Sequence, residues 1–352
     1  MRTLTVTRWT GPPAPDRPAA RGRWIWTVTG LATVGLLAWP VVLLITSAGN
    51  SGQGDFVTAA PTVTRTVTVT QPVASLSVES YGAPIQVTAG PVHHITVTEA
   101  IQYAGPGPAP TVTAAVFDRK LTLAAPACET SGCSVGFTVT VPPGVAVTAE
   151  SDDGGIAVAG VAGANLDSGG GPVQAKHIDG PLTISSEDGG ITVSDVTAPG
   201  VNLDSGGGPV QVGRIDGPLT VASEDGGITV NGLTGDLNAD TGGGPIAGDL
   251  SSGRASVLSE DGSVALTFAS APGYVFVDTG GGPAQLTFDQ PPAAVMISTE
   301  NGSASVAVPG GPYAVTAHTE GGSQTVDVPT APAAQRTITV STGGGPVEIV
   351  PR

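Results

Sequence analysis

Cysteine, aromatic side chains and charge are all scarce in this chain of 352 residues, with two Cys, 4% aromatic and 12% charged residues. With so few aromatics, the chain must bury Val, Leu, Ile and Ala in thin layers instead of a thick core. Basic residues are few as well, 13 against 29 acids, and the formal net charge is −16. The segment before Ser47 holds five Arg and one Asp, which leaves −20 on the remainder. A body that acidic repels phosphate backbones, so nucleic acid is excluded as a partner. Glycine and proline are plentiful instead: 52 Gly and 31 Pro make about a quarter of the chain structure breakers and exclude an all-helical protein.

One long apolar run is present. Residues 24–46, WIWTVTGLATVGLLAWPVVLLIT, contain no charge. At about 1.5 Å per residue such a helix crosses the hydrocarbon layer. Arg17, Arg21 and Arg23 precede it and the next basic residue is Arg65, so the positive-inside rule places residues 1–23 in the cytoplasm and the rest outside. The expected organisation is a cytoplasmic arm (1–23), a transmembrane signal anchor (24–46), a Thr/Pro-rich linker (47–72) and a β-repeat domain (73–352), irregular over 86–145 and regular over 146–352. A signal peptide cleaved near Ser47 is the alternative to the anchor. The linker reads as a flexible stalk, with an edge strand over 62–70 as the alternative.

The two cysteines, Cys128 and Cys133, lie in ACETSGCS. In an oxidising exterior they are expected to form a short-loop disulfide. As zinc ligands they would need two more partners, and the spacing of His93 and His94 marks no such site.

The strongest signal is a repeat. The first apolar residue after each glycine cluster, taken as an anchor, gives Ile156, Val173, Ile191, Val210, Ile228, Ile246, Val264, Ala284, Ala304, Gln324 and Val347, at spacings of 17 to 23 residues. An earlier unit is anchored at Ile85. Each unit alternates apolar and polar residues, turns at glycines and alternates again, which is the period of half-buried strands. A unit of 18–20 residues cannot bury its own apolar face. Stacked at about 4.8 Å, such units form a β-solenoid. The glycines are expected to supply positive φ at the bends, and Pro172, Pro209, Pro245, Pro283 and Pro346 to open the strand that follows.

Two turn types alternate along the chain. One carries an acid six residues before the anchor (Asp167, Asp204, Asp240, Asp278); the other carries acids four and three before it (Asp152 and Asp153, Glu187 and Asp188, Glu224 and Asp225, Glu260 and Asp261). In-register stacking then separates equivalent charges by about 9.6 Å, where repulsion in water is about 0.4 kcal/mol and is further screened by salt. The pattern breaks once, where Glu300 and Glu320 occupy the same position in consecutive units, so those two rungs are expected to be out of plain register or the two glutamates to splay apart.

The turns SEDGGITV, LDSGGGPVQV, STENGSASV and TEGGSQTV resemble the bacterial putative-adhesin family of β-strand repeats, over roughly residues 73–352. The resemblance implies an all-β envelope protein, often with an N-terminal membrane anchor, and brings no catalytic residues to transfer.

Chemistry is thinly represented. Pairs such as Glu187 and Asp188 recur in every second unit, whereas a glycosidase needs its acid and base once. DSGGGP lacks the strand–elbow–helix setting of a serine nucleophile. Structural Ca²⁺ is the stronger alternative, with Asp167, Asp204, Asp240, Asp278, Glu300 and Glu320 as candidate ligands, although known Ca²⁺-binding nonapeptide repeats have half this period. His177 and His318 read as ordinary surface positions, and Asn301-Gly-Ser, formally a glycosylation sequon, as turn chemistry. The sequence therefore predicts a non-catalytic, membrane-anchored extracytoplasmic module for structural or adhesive contact, with a cell-surface protein or polysaccharide as partner and no cofactor. An envelope-maintenance scaffold or sensor partner, and a carbohydrate-active enzyme, are the alternatives.

Overall fold

The computed structural model describes residues 62–103, 109–126, 133–251 and 253–352. The segment read as a membrane span, the arm before it, linker residues 47–61 and Cys128 lie outside the described residues. Among the described residues no helix is long and apolar enough to cross a membrane.

All regular elements among the described residues are strands, arranged in one fifteen-stranded and one fourteen-stranded sheet. In the regular part successive strands alternate between the two. Ala164–Ser168 lies in the second sheet, Val173–Asp179 in the first, Leu182–Ser186 in the second and Ile191–Thr197 in the first. One repeat is thus one rung of two short strands, and each strand pairs in parallel with its equivalent in the next rung. This is the expected β-solenoid. Every anchor residue is the first residue of a first-sheet strand, and the anchors pair with one another from rung to rung, as Ile156↔Val173, Val173↔Ile191 and Val210↔Ile228 show. The inward side chains form one continuous apolar core between the sheets, nearly all of Val, Leu, Ile and Ala. Its aromatic members are few; Phe268 and Phe288, on adjacent rungs, stack at 4.9 Å between centroids.

The glycine turns work differently from the sequence expectation. The glycines that link the second sheet to the first, such as Gly171, Gly189 and Gly208, are not among the positive-φ residues. They are required by proximity: a Cβ on Gly189 would lie 2.0 Å from the Gly171 carbonyl oxygen of the rung below. Backbone stacks on backbone at these corners with no room for a side chain.

A second feature of the corner was not foreseen. Eleven of the fourteen second-sheet strands end in a buried Ser or Thr: Ser80, Ser151, Ser168, Ser186, Ser205, Ser223, Thr241, Ser259, Thr279, Thr299 and Thr342. Most of these hydroxyls donate to the glycine carbonyl three residues on, as in Ser186 to Gly189 at 2.8 Å and Thr299 to Gly302 at 2.6 Å. Ser223 Oγ has no such partner. Ser186→Ala is therefore expected to cost about 1–3 kcal/mol, the penalty for stranding a buried carbonyl, whereas Ser223→Ala should be close to neutral. Urea unfolding of the two variants checks this.

The N-terminal part is antiparallel. Thr62–Val69 pairs with Ile95–Gln102, and this strand with Ser134–Val141, which then joins the parallel stack through Ile85–Ala89. Residues 62–69 are thus the edge strand of the first sheet, not part of a flexible stalk. Alternating Thr and Val gave that strand its period, and pairing with Ile95–Gln102 fixes it. On its inner face Arg65 stands in register with Glu99, which is only 4% exposed. Burial raises the pKa of Glu99 and Arg65 partly offsets this. An inward charge pair at a sheet edge discourages further strand addition.

The C-terminal rungs depart from sequence order. The final rung, Thr337–Thr342 with Val347–Pro351, is inserted between Ala294–Thr299 with Ala304–Val308 and Ala314–Thr319 with Gln324–Val326. The glycine turn of the last rung thus separates the two glutamate turns: Gly344 N donates to the Glu300 carbonyl, and Glu320 N to the Gly343 carbonyl. Glu300 and Glu320 therefore do not stack, in line with the departure from plain register expected there. Alternation broken in the sequence is restored in space.

Candidate functional surface

Because neighbouring strands are parallel and in register, each outward position forms a column of side chains along a sheet face. On the second sheet one column reads Asp167, Ser185, Asp204, Ala222, Asp240, Leu258 and Asp278. The four candidate aspartates are each separated from the next by an uncharged residue. The fold does not bring them together, and no group of three or more His, Cys, Asp or Glu among the described residues is arranged to hold a metal ion. Glu300 and Glu320 lie at the turn and are likewise separated, by Gly343. Asn301 occupies the turn position where its side chain stands 3.9 Å from the Cβ site of Gly344.

Charge alternation fails at the start of the stack. Glu79, Glu150 and Asp167 occupy one column on three consecutive rungs, in direct register. The unit anchored at Ile156 carries Glu150 at the position six before the anchor in addition to Asp152 and Asp153, so it combines both turn types. Burial, then Glu79, Asp167 and Asp152, raise the pKa of Glu150. The Tyr81 hydroxyl donates to Glu79 at 2.8 Å, and its own pKa is raised by that bond. A carboxyl whose pKa is raised on folding binds its proton more tightly in the native state, so its ionisation weakens the fold above that pKa. Glu150→Gln is expected to raise stability at neutral pH by less than about 1 kcal/mol, because the group is well exposed. The gain should vanish as pH falls below the ordinary carboxylate range, which thermal unfolding at pH 7 and pH 3.5 measures.

The opposite corner holds a column not anticipated as a unit. His177, Asp195 and Arg214 each sit four residues after an anchor and each has left-handed φ, of 53°, 57° and 50°, as does Gly232 in the next rung. The shared kink brings the three side chains to one edge. Arg214 Nε donates to Asp195 Oδ1, and His177 Nε2 lies 3.7 Å from Asp195 Oδ2. The bond from Arg214, with smaller contributions from His177 and Lys176, holds the Asp195 carboxyl below its ordinary pKa. His177 is therefore an exposed residue that stands beside the Arg214–Asp195 ion pair, in a column spanning three rungs. The constant offset from the anchors was the signal available in the sequence. Beside it, an open groove is lined by Asp179, Gly180, Thr197, Ala198, Pro199, Asp216 and Gly217. Asp179 and Asp216 are separated by Thr197 in register, and the groove lining holds no Ser, Cys or His.

His318 is exposed on the outermost rung, in register with Ser341. Cys133 immediately precedes Ser134–Val141, and no cysteine among the described residues is free.

No curated protein matches the chain. Among solved structures it is similar to a putative adhesin of Bacteroides fragilis, at 14% identity over 82% of this chain and 97% of the other, with a TM-score of 0.37. It is similar to a putative adhesin of Parabacteroides distasonis at 12% identity over 82% and 97%, with a TM-score of 0.34. A putative cell adhesion protein of Clostridium sporogenes follows at 9% identity over 83% and 100%, with a TM-score of 0.22. Residues 118–349 match the Toastrack DUF4097 family, and the chain belongs to it.

Proposed function

We propose that this chain is a non-catalytic, membrane-anchored module of the cell exterior that makes structural or adhesive contacts through the faces of its stacked sheets. The observation that carries the reading is the register. Twelve anchor residues, from Ile85 to Val347, align in one column, so outward side chains form long ordered rows on two sheet faces. Such faces suit a broad ligand, a cell-surface protein or polysaccharide. Residues 24–46 are the proposed anchor, with the N-terminal arm in the cytoplasm, and Cys128 and Cys133 form the proposed disulfide. The Toastrack assignment agrees with a surface role and supplies no catalytic residue.

The test is retention of the purified full chain on whole cells, with and without chelator, together with carbonate extraction of membranes from the expressing cell. Retention independent of chelator and resistance to extraction are expected. Cleavage of an oligosaccharide by the pure chain, or release of the chain by carbonate, would overturn the reading.

A further inference from the structure

The large apolar side chains left exposed among the described residues are Tyr81, Phe117, Leu258, Tyr274 and Met296. Three of these five fall on the outer face of the second sheet, within the consecutive strands Arg254–Ser259, Tyr274–Thr279 and Ala294–Thr299. Half-buried Phe276 lies among them, in register with Ser256 on one side and Met296 on the other. Earlier in the stack the same middle column is Asn165, Thr183, Asn202, Thr220 and Asn238. The face changes from amide and hydroxyl to aromatic and thioether at one rung. An apolar cluster of this kind on an otherwise polar face marks a contact site.

We infer that the occupant is a second copy of this chain, joined about a two-fold axis that runs along the middle column parallel to the stack. Such an axis sets the middle column against itself, Phe276 on Phe276 and Met296 on Met296, and exchanges the flanking columns. Tyr274 then faces Asp278 of the second copy on the same rung, where its hydroxyl can donate to the carboxylate. Exposed Arg254, one rung away, reaches the same Asp278. The charges at the two borders of the patch, Arg254 on one side and Asp278 on the other, are complementary in this arrangement. The preceding rung carries Asp236 and Asp240 in the exchanged columns, since Leu237 pairs with Ala255 and Asp240 with Leu258. Opposed there, they would repel, which ends the contact at the apolar rungs. A chain of net charge −16 repels its own copies elsewhere, and this patch is where apolar area and opposite charge coincide.

Sedimentation equilibrium of the full chain in mild detergent is expected to show a monomer–dimer equilibrium, weakened at least tenfold by Phe276→Glu or by Met296→Glu, as for truncation of a central contact. Met296 is exposed, so that variant should unfold at the wild-type urea concentration. Oxidation of Met296→Cys should give a disulfide-linked dimer on a non-reducing gel, and Thr192→Cys, on the outer face of the other sheet, should not. A wild-type chain that remains monomeric, a dimer unaffected by both glutamate variants, or equal cross-linking at both cysteine positions would overturn the inference.

Discussion

Gly189→Ala is expected to destabilise the chain by about 3 kcal/mol or more, and to leave little folded protein at 37 °C. The added methyl group would sit 2.0 Å from the Gly171 carbonyl oxygen and 2.6 Å from its carbon, both backbone atoms of the neighbouring rung. No rotamer change relieves such a clash. The rungs must separate, and separation breaks the ladder between Val173–Asp179 and Ile191–Thr197. Gly207 is the control. It belongs to the same kind of turn, but its nearest neighbour is Asp188 Oδ1 at 3.8 Å, the end of a flexible side chain. Gly207→Ala should cost less than about 1 kcal/mol. Urea unfolding of both variants distinguishes close approach from backbone flexibility as the reason for glycine, since flexibility would make the two substitutions alike.

Ending the chain after Ala331 is expected to be more damaging than loss of an outer rung. The segment removed holds Ile338, Val340, Val347 and Ile349, each at most 1% exposed. Four such side chains represent on the order of 6–12 kcal/mol of burial at about 1.5–3 each, an upper figure because the unfolded chain already buries some of that area. The rung also lies between two others, so its removal takes from the outermost rung its only partner and from the other rung one of its two. Closing the gap would bring the Glu300 and Glu320 turns into direct register. Glu320→Gly in the shortened chain should therefore recover part of the loss, while the same change in the complete chain should have little effect. Thermal unfolding of the four proteins reads out that difference. Equal effects of Glu320→Gly in both backgrounds would show that charge does not select the rung order.

Much of the fold could be read from residue spacing. A period of 17 to 23 residues with alternation inside each unit leaves few arrangements other than stacked rungs, and the anchors fell at strand starts. The alternating acids gave more: they implied that the Glu300 and Glu320 turns do not meet in plain register with their carboxylates stacked. They did not reveal that another rung lies between, because strand insertion is a long-range event with no local signature. The role of the corner glycines was misjudged for a similar reason. Glycine suits positive φ and close approach equally, and only the neighbouring rung decides between them. The ladder of buried Ser and Thr lay in plain view five residues before most anchors, but small hydroxyl residues beside glycine read equally well as turn residues. The carboxylate column of Glu79, Glu150 and Asp167 required extending the alignment to the units where the pattern is least regular. The column of His177, Asp195 and Arg214 required comparing one position across units in place of scanning for motifs along the chain.

The central claim is that rungs stack in parallel register, with the last rung of the sequence inserted between the two that precede it. Paired cysteines on the outer face of the second sheet test it. Ser298 and Ser341 are direct neighbours, and His318 lies one rung beyond Ser341. A disulfide requires a Cβ separation of about 3.5–4.5 Å, within reach of adjacent rungs and out of reach across two. Oxidation should link Ser298→Cys to Ser341→Cys, and Ser341→Cys to His318→Cys, within one chain. An efficient link between Ser298→Cys and His318→Cys, with none to position 341, would mean that the rungs follow sequence order and would contradict the account.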